Sequence, residues 1–535
     1  MSADTKVNEA SPPAITEHVS DSEAQSGDII NASGHVQELR RQFSLLSLAG
    51  VGLVVGDVWP ALGGSILVAL YNGGPPGVLY EFIVVSIFYW IVAASIAELA
   101  SAIPSSAGVY HWASITPGPK WGRVVGFFAG YWNWLAWVWG EASFTLIFAN
   151  TIVQMYALNH PGFQVQPWQV FVTYVIATWS ACAIVCTCNR AMPYLNQVGI
   201  FFVLGGYLIT VVVVAVMPGR NGRPPHATSS FVWTEWRGSG LGYPSGFVFV
   251  AGMLNGAFSV GTPDATTHLA EEVPYPQRNV PIAIGLQMAI GFLTGFTYLI
   301  AIFYAIHDFD ALFGSPYPIA EIYRQATGSA AGATGLLALV LICIGIAIVG
   351  LYITCGRTLW ALSRDGATPF PKFLSRVSPR FDMPLNATVV NAIIVTALGA
   401  IYVGSTTAFN AFVGSYIVMS SSSYIAAILP NLLTGRKNIE VYGPFHLQGA
   451  LGFLMNGIAC SYMIVWFVIY CFPYSLPTDA QTFNYACVLW CGFTIFIAAW
   501  WFIGARKDYR GPPIVRRGGR VVVADTVKAI QAETR

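Results

Sequence analysis

The chain has 535 residues, 55% hydrophobic and 10% charged, with a net charge of +1. A soluble domain carries roughly 25% charged residues, so the composition excludes an ordinary soluble protein and reads as a polytopic, all-α membrane protein. Near-neutral charge without a basic block also excludes nucleic acid as a partner.

Residues 1–42 are polar, rich in Ser, Glu and Asp, and hold no cleavable signal peptide; they are expected to form a disordered tail. Twelve apolar stretches follow, each long enough for a hydrocarbon layer of roughly 30 Å. They fall near 44–70, 78–103, 124–152, 167–188, 194–217, 245–272, 281–306, 333–362, 385–405, 408–430, 448–472 and 483–504. Residues 506–535 form a basic C-terminal tail. Most Lys and Arg fall in the segments on the N-terminal side, from Arg40 and Arg41 to Arg436, Lys437 and the tail cluster beginning at Arg506. Only Arg220, Arg223, Arg237 and Arg324 fall opposite, so both termini are expected in the cytoplasm. The sequons at Asn31 and Asn386 would then stay unglycosylated.

The first span, Gly50 to Gly64, holds an acid, Asp57, a proline, Pro60, and several glycines. Asp57 can cap a second half-helix, with Pro60 tolerated in its first turn. The sixth span breaks in a matching place. After Ser259-Val260-Gly261 comes Thr262-Pro263-Asp264, the pattern of a fresh helix start with a Thr N-cap, Pro at the first position and an acid in the first turn. Lipid cannot satisfy the peptide groups freed at a break, so breaks survive where they line a polar cavity. Matching interruptions five helices apart point to a five-helix inverted repeat with its site at mid-membrane. The alternative is two ordinary proline kinks.

Three further segments complete a family pattern. Glu98, Pro104, Gly108 and Tyr110, closing the second span, resemble the E-x-x-x-x-x-P-x-x-G-x-Y signature of the amino acid–polyamine–organocation permeases. Asp264, Glu271, Glu272, Pro276, Arg278 and Pro281 match that family, as does Arg357 to Gly366 after the eighth span. Tyr71 to Pro76 and the Trp-rich third span are most similar to the fungal branch that imports choline, GABA and other amino acids. The resemblance covers residues 40–505. It implies a permease domain over 43–505, with a ten-helix core of repeats at 43–217 and 245–430 and two peripheral helices at 448–504. It also implies alternating access, an amine or amino acid as solute, a proton gradient or exchange as the driving force, and a place in the plasma membrane. Backbone N–H groups of Val55-Gly56-Asp57 and Ser259-Val260-Gly261 would hold a substrate carboxylate, where one is present. Small uncharged residues usually fill the first break in the family; Asp57 stands there here, which would repel a carboxylate and attract a cation.

Asp57 therefore reads as an ammonium grip or proton carrier, or as a helix cap alone; an intramembrane carboxylate defaults to function. Asp264 has the same two readings. Asp264, His268 and Glu272 share a helix face as a proton relay, or else His268, Glu271 and Glu272 form a cytoplasmic gate, with Arg278 as a partner. Trp134, Trp137 and Glu141 at i, i+3 and i+7 present two indoles and a carboxylate to one side, where the ring quadrupoles attract a quaternary ammonium; bundle packing is the alternative. Phe258 reads as an aromatic lid or a core residue, Glu98 as a gate or an anchor for backbone near the cytoplasmic mouth, and Ser420 to Ser423 as close helix packing. The fifth span holds Asn196 and Gln197 but no lysine of the kind some relatives use in place of a coupling cation. The nine cysteines read as small hydrophobes, since Cys186 and Cys188 stand too close for a zinc knuckle; no metal or cofactor is expected. Competing classes are an exchanger, a nutrient sensor, a channel, for which no filter or charge ring is seen, and a membrane enzyme, for which His268 lacks a nucleophile motif.

Overall fold

A run of some twenty apolar residues can hide its peptide groups from lipid only by bonding them within the segment, as an α-helix does. The computed structural model describes residues 43–512 except 239, 406 and 440, together with the backbone of two short paired strands, Arg516–Arg517 and Arg520–Val521. The expected N-terminal tail, most of the C-terminal one and the Asn31 sequon lie outside these residues. Every predicted apolar stretch is mainly helical. Ten helices among the described residues are long and apolar enough to cross a membrane, from Leu45–Gly64 to Ala486–Asp508. The Gly122–Asn159 helix is not one of the ten, yet it has 38 residues, roughly 57 Å at 1.5 Å per residue. It packs along the Ala408–Leu433 and Ala330–Arg364 helices and forms the spine of the bundle.

Buried area separates centre from rim. In the first helix 89% of the apolar window is buried inside the protein, against 33% in Gly449–Ile469 and 17% in Ala486–Asp508. The last two helices accordingly expose Leu454, Val465, Ile495 and Phe496. Long-range contacts define two ends. At the near end, Phe43 N–H donates to Glu272 O, Ser101 Oγ to Gln277 O and Trp360 Nε1 to Ser375 O. At the far end, Tyr474 Oη donates to Asn410 O and Arg223 Nε to Thr327 O.

Both expected interruptions occur. The first span divides into Leu45–Gly56 and Val58–Gly64 at Asp57, whose φ of 35° and ψ of 48° are left-handed, a region that L-residues seldom enter. Asp57 N–H still donates to Leu53 O, and Asp57 O still accepts from Ala61 N–H. The expected capping bond is not made: the Asp57 side chain caps nothing. The sixth span divides into Ser245–Gly252, Leu254–Val260 and a 3₁₀ segment, Thr267–Glu272. The expected α-helical restart at Thr262-Pro263-Asp264 is thus corrected to turns over 263–266 followed by 3₁₀ helix. The physical reason is that donors from neighbouring helices claim Thr262 and Asp264 before they can cap their own segment.

Candidate functional site

The two interruptions touch. A Cβ on Gly56 would lie 3.1 Å from Gln287 Nε2 and 3.4 Å from Thr262 Oγ1; one on Gly52 would lie 2.8 Å from Gln287 Oε1. Bare glycine is what lets the first span close on the second break. Gln287, on the Pro276–Tyr304 helix, donates through Nε2 to both Thr262 O, at 2.9 Å, and Thr262 Oγ1, at 2.8 Å. Tyr416 Oη donates to Gly261 O at 2.6 Å. The freed carbonyls of the sixth span are therefore satisfied by side chains from two other helices, as a dry interior requires.

Asp264 is a hub. Its Oδ2 accepts from Asn133 Nδ2 at 2.8 Å and Trp137 Nε1 at 3.3 Å, and lies 3.2 Å from His268 Nε2. Its Oδ1 accepts from Tyr424 Oη at 2.5 Å. His268 Nδ1 in turn lies 3.3 Å from Ser106 O and 3.3 Å from Thr358 Oγ1. Both ring nitrogens thus face oxygens on different elements. Asp57 differs: it is fully buried, and neither of its carboxylate oxygens meets a hydrogen-bond donor among the described residues.

Toward the near end, buried carboxylates are paired. Glu272 Oε1 lies 2.5 Å from Arg357 Nε, Glu271 Oε2 lies 3.7 Å from Arg364 Nη1, and Glu98 bonds Arg436 Nη2 and accepts from Leu447 N–H at 2.7 Å. Ser106 and Glu271 bond reciprocally, backbone N–H to side chain each way. The expected partner Arg278 is replaced by Arg357 and Arg364. The Ala330–Arg364 helix carries both on one side, seven residues apart, and so faces the 3₁₀ segment with two guanidiniums.

The Trp134, Trp137 and Glu141 box is not assembled. Trp137 reaches Asp264, but Trp134 Nε1 donates to Asn391 Oδ1 at 2.9 Å, on the Leu385–Gly404 helix. Glu141 is buried beside Tyr352 and Cys355. Positions i, i+3 and i+7 span roughly 60° of helix circumference and 10 Å of length, and three neighbouring helices divide that face. Phe258 packs against Phe144 and Tyr416, with ring centroids 5.5 and 5.8 Å away, as a core residue. Val55 packs on Gly350, Ser259 Oγ donates to Asn255 O, and Val260 is buried. Sequence reasoning missed Asn133, Gln287, Tyr416, Tyr424, Ser106 and Thr358. Asn133 and Gln287 carried a usable signal, being amides inside apolar spans.

Comparison with known proteins identifies the family. The amino acid permease family profile matches residues 43–493. A protein of Saccharomyces cerevisiae named choline transporter is 32% identical over 90% of this chain and 84% of its own. Amino-acid permease BAT1 of Arabidopsis thaliana is 27% identical over 90% of this chain and 94% of its own. Transmembrane transporter swnT of Metarhizium robertsii is 27% identical over 88% of this chain and 93% of its own. A bundle of apolar helices, two of them interrupted where they meet, and a match over most of the chain lead to one statement: this chain belongs to the amino acid permease family and is a permease, not an enzyme.

Proposed function

We propose that the protein is a secondary active transporter that imports a small amine-bearing solute by alternating access, coupled to protons. The solute is a choline-like quaternary amine, GABA or an amino acid. One observation carries the reading: the interrupted first and sixth spans meet at Gly56 and Thr262, bridged by Gln287, with the carboxylate of Asp57, which has no donor among the described residues, beside the contact. A buried carboxylate without a donor favours a cation or a proton. The name of the yeast relative supports a quaternary amine as the first solute to test.

In this reading twelve spans cross the plasma membrane. Repeats at 43–217 and 245–430 form the core, the helices at 448–504 the periphery, and the near end with its basic residues faces the cytoplasm together with both termini. Asp57 holds the ammonium group. Backbone N–H groups around Val55-Gly56 and Ser259-Val260-Gly261 take the carboxylate of a zwitterionic solute. Asp264 fixes Trp137 and His268 in place, and His268 passes the coupling proton. The pairs of Glu271, Glu272 and Glu98 close the cytoplasmic side and must part for release.

The test is uptake in cells lacking their own carriers, with choline, GABA, basic and neutral amino acids in competition and with a protonophore. Asp57→Asn is expected to lower uptake about 100-fold, the worth of a charge-assisted bond near 3 kcal/mol, while the protein still reaches the surface. Near-normal uptake by that variant removes Asp57 from the site. Uptake indifferent to the protonophore removes proton coupling.

A further inference from the structure

A second carboxylate, which the transport reading does not use, lies toward the far end. Glu81 sits on the Gly74–Ala102 helix about 10 Å from its start, is 2% exposed, and its Oε1 meets no donor among the described residues. It abuts bare backbone: a Cβ on Gly252 would lie 2.2 Å from Glu81 Oε1 and 2.5 Å from Oε2. Any side chain at 252 would push the carboxylate away. Met253, the next residue but one after Ala251, is where the Ser245–Gly252 helix gives way to Leu254–Val260.

The same stretch of backbone borders a cavity of about 350 Å³, within the range of small-molecule sites. Ala251, Val248 and Leu254 form the wall it shares with the Gly252 turn. Six rings, Tyr71, Tyr243, Phe247, Tyr470, Phe472 and Tyr474, line much of the rest beside polar side chains such as Asn72, Asn410 and Asn484, and none of its lining side chains among the described residues is charged. Tyr71 and Phe472 are 39% and 44% exposed, whereas Tyr470 is 3% exposed. The rings therefore run from an open rim to a closed floor, and the floor lies nearest Glu81. Leu67 and Asn410 also line a neighbouring cavity of about 400 Å³, which reaches Gly64 at the end of the first span's second half. Aromatic faces attract cations and tolerate their methyl groups. A carboxyl against the same backbone gives a cation held there a reason to draw it into its ionised form, with an attraction that water screens little.

We propose that this aromatic cavity, backed by Glu81, is a second binding site for a quaternary ammonium or similar organic cation, placed on the outer approach to the central site. The proposal rests on the transport reading and its orientation. A cation entering from outside meets the rings first, and Leu67 is the side chain it passes on the way to Val58–Gly64.

The experiment is equilibrium binding of choline to the purified full-length protein, with stoichiometry as the readout. The wild type should bind two equivalents, and Asp57→Asn should keep only the outer one. Glu81→Gln should weaken the outer site about tenfold and leave the central affinity unchanged. Phe247→Leu, on the partly buried wall, should weaken the outer site roughly 2- to 30-fold and serves if Glu81→Gln does not fold. One equivalent, lost in Asp57→Asn and untouched by Glu81→Gln and Phe247→Leu, overturns the second site alone. No choline binding in a folded protein overturns the choline reading and the second site with it.

Discussion

Two aspartates stand at the two interruptions, and their surroundings are opposite. Asp264 is met by the side chains of Asn133, Trp137, His268 and Tyr424, from the Gly122–Asn159 helix, its own 3₁₀ segment and the Ala408–Leu433 helix. Asp57 is equally buried and meets no donor among the described residues. The same residue type at paired breaks therefore serves two ends. One carboxylate holds three elements in register; the other, in the proposed function, is the one that takes the solute's cation. In a dry interior, the carboxylate with donors stabilises the fold and the one without them lowers its stability.

The largest expected effect separates the pair by stability. Asp264→Ala strands an amide, an indole, a phenol and an imidazole together and should cost about 3–5 kcal/mol, read as a fall in thermal unfolding temperature in detergent. Asp57→Ala should change that temperature little or raise it. Equal losses would erase the contrast. Next comes the near end, where Glu272→Gln leaves the buried Arg357 unpaired and should cost about 3 kcal/mol. Combining Glu272→Leu with Arg357→Met should recover most of that stability while increasing labelling of cysteines introduced below the pair. A pair that only stabilises would recover stability without added labelling. Gln287→Leu unties Thr262 and should cost about 1–2 kcal/mol; it sharpens the comparison because it should raise the KM for uptake more than it lowers the maximal rate. The smallest effects divide the two tryptophans. Trp137→Leu, which removes a donor to Asp264, should weaken a quaternary amine by about 1 kcal/mol. Trp134→Leu should leave solute affinity unchanged and lower only stability, by about 1 kcal/mol. Equal effects on affinity would restore the box that the structure takes apart.

The apolar stretches and both breaks are legible because each is a local property of the chain. So are the pairings at the near end, in part: Glu271 and Glu272 ask for cations, but Arg357 and Arg364 come from a helix 85 or more residues on. Periodicity places Trp134, Trp137 and Glu141 on one face and cannot say how neighbours divide it. Asp264 illustrates the same limit. Its first-turn position suggested capping, yet a phenol 160 residues away outcompetes the local N–H groups. The sequence leaves Asp57 two readings, an ammonium grip or proton carrier and a helix cap; its backbone bonds to Leu53 and Ala61 leave the side chain no capping to do.

The most direct measurement is the affinity of choline for the wild type and for Asp57→Asn, each purified and matched in thermal unfolding temperature. The account predicts binding at the central site weaker by at least about 30-fold in the variant, near 2 kcal/mol, with Asp264 and its four partners undisturbed. Unchanged central affinity in a folded Asp57→Asn protein would contradict it.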